Sequence, residues 1–505
     1  MREILSNTQK RRLELIEYLY FHRTWVSFST LITKLNCASR TLRSDIQEIN
    51  SRLDYLTIET SEKKLRIIFD ETHRLEAVHQ LILNEAHGFK LVERVLLESR
   101  LSRSELIDDL YMSNSSVYRI LKTMDERLHE KYNIGISSNP VQFEGREVDI
   151  RFFIAQYLSE KYSFNDWPYK EINEEKWSEF LKFFVDFAGI QTDFTRMNYL
   201  KVLTLVSLIR YKNGFSIIGE LDYEIDELWE KLEKDPIYQK KKIALEHIAG
   251  TKITKELIIN LFYPYLQNGF AFSYQHLLDL SKDDLQINRS VLAIEKMLFQ
   301  LSEEFHLTIP NKFDLTLELH NMYYLQNMEI DSSYILFNKK KFFCKTIEQK
   351  FPAIVQAMKR EIDIWLDTFE EPITSSFKGH LLYTLFTYWE SLVTQLLNQE
   401  GPTSILIITK FDIWQANMLS DFLKYYFGNQ VEIFIYNQLT IDVDALKASN
   451  YDIILSTFQM NGIEDKFIYN ISNVPTHQNI EKIQSMIHHL KAVPQETIFN
   501  LDDFS

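Results

Sequence analysis

Between Phe28 and Phe69 the chain fits two short helices and a pair of strands into a span that few small folds can use. Phe28, Leu31, Ile32 and Leu35 follow helical spacing, Asn36-Cys37-Ala38 breaks it, and a further helix runs from Ser39 to about Leu53. Ser39 is placed to cap that helix. Tyr55–Glu59 and Lys64–Phe69 then read as strands around Thr60-Ser61-Glu62-Lys63, the pattern of a wing. An earlier helix, Thr8–Tyr20, carries Leu13, Ile16, Leu19 and Tyr20 on one side and completes a winged helix-turn-helix unit. In the Ser39–Leu53 helix, Leu42, Ile46 and Ile49 face inward. Ser39, Arg40, Thr41, Arg43, Ser44 and Gln47 face outward, which supplies donors for phosphates and base edges. Arg11 and Arg12, beside Lys10 at the start of the first helix, are placed for a DNA-backbone contact.

A similar order recurs about 75 residues later. Helices are expected at Ala77–Asn84, Lys90–Glu98 and Arg103–Leu110, then a turn through Tyr111-Met112-Ser113 and a helix over Asn114–His129. Strands at Ile134–Ser137 and Val141–Glu144 follow. Here Val117, Ile120 and Leu121 pack, while Asn114, Ser115, Ser116, Tyr118, Arg119 and Lys122 face outward, with Asn114 or Ser115 as the cap. Order, more than identity, makes this a second winged unit.

From Ile150 to about Leu396 the apolar spacing is helical, through Met197–Tyr211, Lys255–Tyr265, Arg289–Phe305, Phe313–Leu325, Ile347–Leu366 and Ser375–Leu397. After Gly401-Pro402 short apolar runs at Ser404–Thr409, Val431–Tyr436 and Asp452–Ser456 alternate with helices at Gln415–Tyr426, Asp442–Ala448 and Ile480–Leu490. That alternation predicts a small α/β domain with a mainly parallel sheet. The expected architecture is multidomain and mainly α. Its parts are winged units over 1–70 and 71–160, helical domains over 161–282 and 283–398, and the α/β domain over 399–505.

The formal charge of −15 opposes a chain coated in nucleic acid, but the charge is uneven. Residues 1–66 hold twelve Lys/Arg against eight Asp/Glu, and residues 401–505 hold six against twelve. Duplex DNA therefore belongs at the N-terminal end, and protein contacts at the acidic end. No apolar leader or membrane-length segment is present, so a cytoplasmic location is expected. The two cysteines, Cys37 and Cys344, make no disulfide framework. HExxH, CxxC, GxSxG and Gly-rich phosphate loops are all missing, so neither an enzyme nor a bound cofactor or metal is expected.

The order of parts resembles the Mga/AtxA family of virulence regulators. The residues that carry the resemblance are Ser39 to Asn50, the Phe143-Glu144-Gly145-Arg146-Glu147 turn leading to Arg151-Phe152-Phe153, and Leu317-Glu318-Leu319-His320-Asn321. It spans essentially the whole chain. The resemblance implies two phosphotransferase-system regulation domains, with His320 and His380 phosphorylated in the second by that system's phosphocarrier protein. Lys201-Val202-Leu203-Thr204 carries no histidine where the first domain would have one, and His247 reads as a surface residue. It also implies a C-terminal domain like enzyme IIB, whose acceptor cysteine is replaced here by the thiol-free loop Thr409-Lys410-Phe411-Asp412. Such a domain suits homodimer formation, not phosphoryl transfer. The function expected is an activator of virulence or carbohydrate-linked genes. The alternatives are a sugar-operon activator and an RNA-binding antiterminator.

Overall fold

The computed structural model describes residues 1–22, 24–97, 101–162, 166–190, 192–220, 223, 225–325, 334–369, 375–399, 401–460 and 467–490. Helices Asn7–His22, Phe28–Lys34 and Ser39–Arg52 pack on an antiparallel sheet whose central strand, Lys64–Phe69, lies between Val26–Ser27 and Leu56–Ser61. Ser61 pairs with Lys64, so the wing turns on Glu62 and Lys63 alone. Both adopt positive φ, +45° and +65°, which matches a two-residue turn to the twist of its strands. The first strand accordingly runs two residues beyond the expected Glu59. Ser39 does not cap the recognition helix: it is already the first helical residue, and Ala38 occupies the cap without a side-chain bond.

The second unit is built from helices Leu75–Glu85, His87–Leu97, Arg103–Leu110 and Asn114–Tyr132 and the hairpin Gly135–Ser138/Val141–Glu144. Glu98, the expected end of its second helix, lies outside the described residues. The long helix is capped by Ser113, whose Oγ accepts the Ser116 amide at 3.2 Å. Neither Asn114 nor Ser115 caps it: the helix begins at Asn114, as the spacing predicts, so the cap falls on Ser113, the last residue of the turn. The Glu147–Lys161 helix crosses the expected boundary at 160 and packs on both the Leu75–Glu85 helix and the Phe194–Lys212 helix.

Two expected long helices are each broken. Ile347–Leu366 is split into Lys339–Lys350 and Pro352–Leu366, since Pro352 has no amide to continue the first helix but suits the start of the second. Ser375–Leu397 is split into Ser375–Tyr388 and Leu392–Gln399, with Ser391 between them at φ +61°. A single hydrophobic core runs from Met1 to Leu266 and takes in Ile335 and Leu336, while residues 294–396 form a second core.

The C-terminal sheet has the order 431–435, 403–408, 453–456, 467–470, and every pairing is parallel. The sequence reading missed the last strand, Phe467–Asn470. Ile405, Ile407, Ile453 and Leu455 face helices Ile413–Phe427 and His477–Leu490, whereas Leu406, Ile408 and Ile454 face Val443–Ala448. Burial on both faces explains the continuous apolar runs. Each such side chain contributes roughly 1.5–3 kcal/mol.

Candidate functional site

On the first recognition helix Ser39, Arg40, Arg43, Ser44 and Gln47 are exposed and Thr41 is half-buried. The Arg43 guanidinium lies 5.0 Å from the centre of the Phe28 ring, a contact that orients it beside the preceding helix. Arg11 and Arg12 are tied into the unit itself. Both bond the carboxylate of buried Asp45 through Nε, at 2.6 and 2.9 Å, which ties the first helix to the recognition helix. Burial pushes the Asp45 carboxyl up, but the two arginines more than offset it and hold it below its ordinary value. On the second helix Asn114, Ser115, Tyr118, Arg119 and Lys122 are exposed and Ser116 is half-buried. Tyr111, at φ +51° in the turn, is 96% exposed beside them. Each unit thus presents a polar helix face held by a buried apolar stripe.

The two histidines singled out by sequence occupy different surroundings. His320 is fully buried, and its Nε2–H donates to the Gly269 carbonyl at 2.9 Å. Burial lowers its pKa to about 4, with the Gly269 bond opposing, so the ring is neutral at pH 7. His380, on the Ser375–Tyr388 helix, borders a cavity of about 710 Å³ between that helix, Lys339–Lys350 and Pro352–Leu366. His247 is exposed, and at the histidine-free position of the first helical domain Lys201 pairs with Glu174 at 2.6 Å. Among the described residues no cluster of acidic, His or Cys side chains is arranged to hold a metal, and no helix is long and apolar enough to cross a membrane.

Three family models match in the same order as these parts: the M protein trans-acting positive regulator (MGA) HTH domain over residues 6–64, the Mga helix-turn-helix domain over 71–158, and the MGA PRD domain over 173–392. The chain belongs to the Mga family. A candidate trans-acting regulator of Streptococcus pneumoniae serotype 4 is 28% identical over 487 residues, 96% of this chain and 99% of the relative. The capsule synthesis positive regulator AcpB of Bacillus anthracis is 20% identical over 504 residues, 94% and 97% of the two chains. AcpA of the same organism is 22% identical over 256 residues, half of each. This family is regulatory, and its helix-turn-helix domains are DNA-binding modules.

In this Mga-family chain the structure adds residues that the sequence reading passed over. Lys63 and Lys64 are exposed at the wing tip, where the two-residue turn, legible only from the strand register, brings them together. A junction between the winged pair and the segment that leads into the second helical core is also new. Arg2 makes a buried bidentate pair with Glu17 at 2.6 Å, and Glu17 also receives His79 Nε2 at 2.8 Å. Arg2 Nε donates to the Leu336 carbonyl at 2.7 Å, and Glu160 accepts the Ile335 and Leu336 amides at 2.7 and 3.2 Å. No sequence motif marks this contact, because its partners lie 334 and 175 positions apart.

Proposed function

We propose that the chain activates virulence, capsule or carbohydrate-linked genes by binding duplex DNA through both winged units, as a homodimer whose activity responds to phosphorylation of its regulation domains. The observation that carries this is the pair of recognition helices, each with an exposed polar face over a buried stripe. An RNA-binding antiterminator would need a small β-rich module where these helical units stand.

Of the two candidate acceptors, His380 is the better placed, since it borders a cavity, whereas His320 is fully buried. Phosphorylation would break the N–P bond of a phosphohistidine on the phosphocarrier protein and form one at an imidazole nitrogen of His380. The attacking nitrogen is the one that holds the lone pair, and the proton shed by the other ring nitrogen of His380 balances the one taken up by the carrier's freed imidazole. The added charge, close to −2, falls where the second helical core meets the 334–337 segment, and so can bear on the winged units.

Self-association has a surface to use. On the helix Ile413–Phe427 of the domain resembling enzyme IIB, Trp414, Met418, Phe422 and Tyr425 form one exposed stripe, with Trp414 76% and Tyr425 84% exposed. Four apolar groups at this spacing on a solvent face suit a two-fold contact between copies. Trp414→Asp/Tyr425→Asp should sediment as a monomer with the fold intact; a stable dimer would move the interface elsewhere. The reading as a whole is tested by genome-wide DNA occupancy of the full chain and of His380→Ala, with and without a phosphotransferase-system sugar. Discrete sites whose occupancy changes with the sugar only when His380 is present support it, and no enrichment at any site removes it.

A further inference from the structure

Residues 334–337 belong to no helix or strand, yet Ile335 and Leu336 are fully buried. Irregular backbone is costly to bury, because each amide and carbonyl in it needs a partner. Here both amides and both carbonyls of these two residues find one, always far away in sequence. The Ile335 carbonyl accepts from the Met1 amino group at 3.2 Å, and the Leu336 carbonyl from Arg2 Nε at 2.7 Å. The two amides donate to the Glu160 carboxylate at 2.7 and 3.2 Å. One residue earlier, the Tyr334 carbonyl accepts the Tyr132 hydroxyl at 2.7 Å, and Lys131 stands 5.5 Å from the centre of the Tyr334 ring. One residue later, the Phe337 ring stacks on Phe21 of the first winged unit at 5.5 Å and on His79 of the second at 5.6 Å.

These partners lie on separate elements, so the segment can make all of its bonds only while those elements keep one placement. By linkage, a seated segment holds that placement in turn. Both recognition helices are within its reach. Tyr132 ends the second, and Arg2 bonds Glu17 of the helix Asn7–His22, whose Arg11 and Arg12 hold Asp45 of the first. Glu160 is half-buried as a residue, but burial of its carboxyl under the segment pushes that group above its ordinary value. The two amides and Gln156 Nε2, at 2.8 Å, oppose this. Unseating the segment removes both amides from the carboxylate at once, which makes a half-seated state costly. The far end is fixed to the second helical core. Asn338 caps Lys339–Lys350 by accepting the Lys341 amide at 2.8 Å, and Phe342 of that helix lies 4.3 Å from Phe21, so a displacement of the helix pulls on the segment.

We propose that residues 334–337 are a strap that sets the two recognition helices in one placement relative to each other, with Glu160 as the positioning residue that seats it. This rests on the reading that both units meet one duplex, because only then does their relative placement govern affinity. The placement itself is independent of that reading and can be measured without DNA.

The test uses the full chain. Nitroxide labels at Gln47→Cys and Glu126→Cys, both exposed, report the distance between the recognition helices by double electron–electron resonance, in a Cys37→Ala background with buried Cys344 left in place. Unlabelled protein is titrated onto an operator recovered by genome-wide occupancy. Glu160→Gln keeps the side chain's size but turns one acceptor into a donor that faces a strap amide. It should at least double the width of the distance distribution and weaken operator binding about tenfold with the salt slope unchanged, since no DNA-facing charge is lost. Tyr157→Phe, on the same helix, loses a bond to the Phe89 carbonyl instead of one to the strap, so it should lower the melting temperature and leave both readings as in the wild type. If circular dichroism shows Glu160→Gln unfolded, Tyr132→Phe/Lys339→Gln takes its place, removing the Tyr334 bond and the Lys339 pair with Glu76. Unchanged widths overturn the strap, as does unchanged affinity for an operator that the wild type binds. Tyr157→Phe moving both readings as far would also overturn it, by reducing Glu160 to general stability. A wild type that binds no duplex defeats the DNA-binding reading, and the distance widths then decide the strap by themselves.

Discussion

Leu42, Ile46, Ile49 and Leu53 of the first recognition helix recur 75 residues on as Val117, Leu121, Met124 and Leu128, and all eight are buried. The outer faces share no such register. Arg40, Arg43, Ser44 and Gln47 are answered at the same spacing by Ser115, Tyr118, Arg119 and Lys122. Packing therefore constrains the inner face of both units, while the outer face is free to differ and to read different base edges. Asp45 has no equivalent either, since the matching position is the half-buried Ile120. In the first unit Asp45 draws Arg11 and Arg12 inward, so the excess of basic residues there overstates the charge facing DNA.

The largest expected effect separates the two outer faces. On an operator recovered from the occupancy experiment, Arg40→Ala/Arg43→Ala should weaken binding by roughly 2–6 kcal/mol, at about 1–3 kcal/mol per base-contacting arginine. The slope of log affinity against log salt should also flatten by up to about two charges' worth. Ser115→Ala/Tyr118→Ala removes no charge, so its affinity should fall by roughly three- to tenfold with the slope unchanged. Fluorescence anisotropy between about 50 and 200 mM salt reads both quantities. Equal slopes in the two double variants would break the comparison, because the units would then share one electrostatic role.

The same contrast explains what could be read from sequence. Local periodicity exposed the recognition helices, the wings and three of the four C-terminal strands, since each depends on spacing within one segment. Phe467–Asn470 was missed because four residues next to others of mixed polarity give no usable period. The pairing of Arg11 and Arg12 with Asp45 was illegible for another reason: Asp45 lies 34 and 33 residues away, and side-chain pairing at that range is set by helix packing. Distant contacts also decide the site. The burial of His320 against Gly269 and the lysine-lined cavity at His380 depend on elements 51 and about 35 residues apart, which no local pattern records.

The smallest effect concerns one position that the two units fill differently for the same task. Asn50 and Asp125 both fix the recognition helix to the first strand of the wing, and they stand at the same place in the 75-residue register. The Asn50 Oδ1 accepts the Ile58 amide at 2.8 Å, and its Nδ2 donates to the Ile58 carbonyl at 3.0 Å. Asp125 makes only the accepting half, from the Ile136 amide at 2.8 Å. The swaps are therefore unequal. Asn50→Asp loses a donor and sets a carboxylate oxygen against a carbonyl oxygen, which costs about 1–2 kcal/mol of local stability. Asp125→Asn keeps an oxygen that can accept the same amide, and should cost less than about 0.5 kcal/mol. Hydrogen exchange of the full chain reads the two sites separately, since local opening is reported strand by strand. Exchange over residues 56–61 should quicken about tenfold in Asn50→Asp, in line with about 1.4 kcal/mol, and stay within about twofold over 135–138 in Asp125→Asn. Equal acceleration at both wings would mean that the amide donor of Asn50 contributes nothing, and that the two units are held in the same way after all.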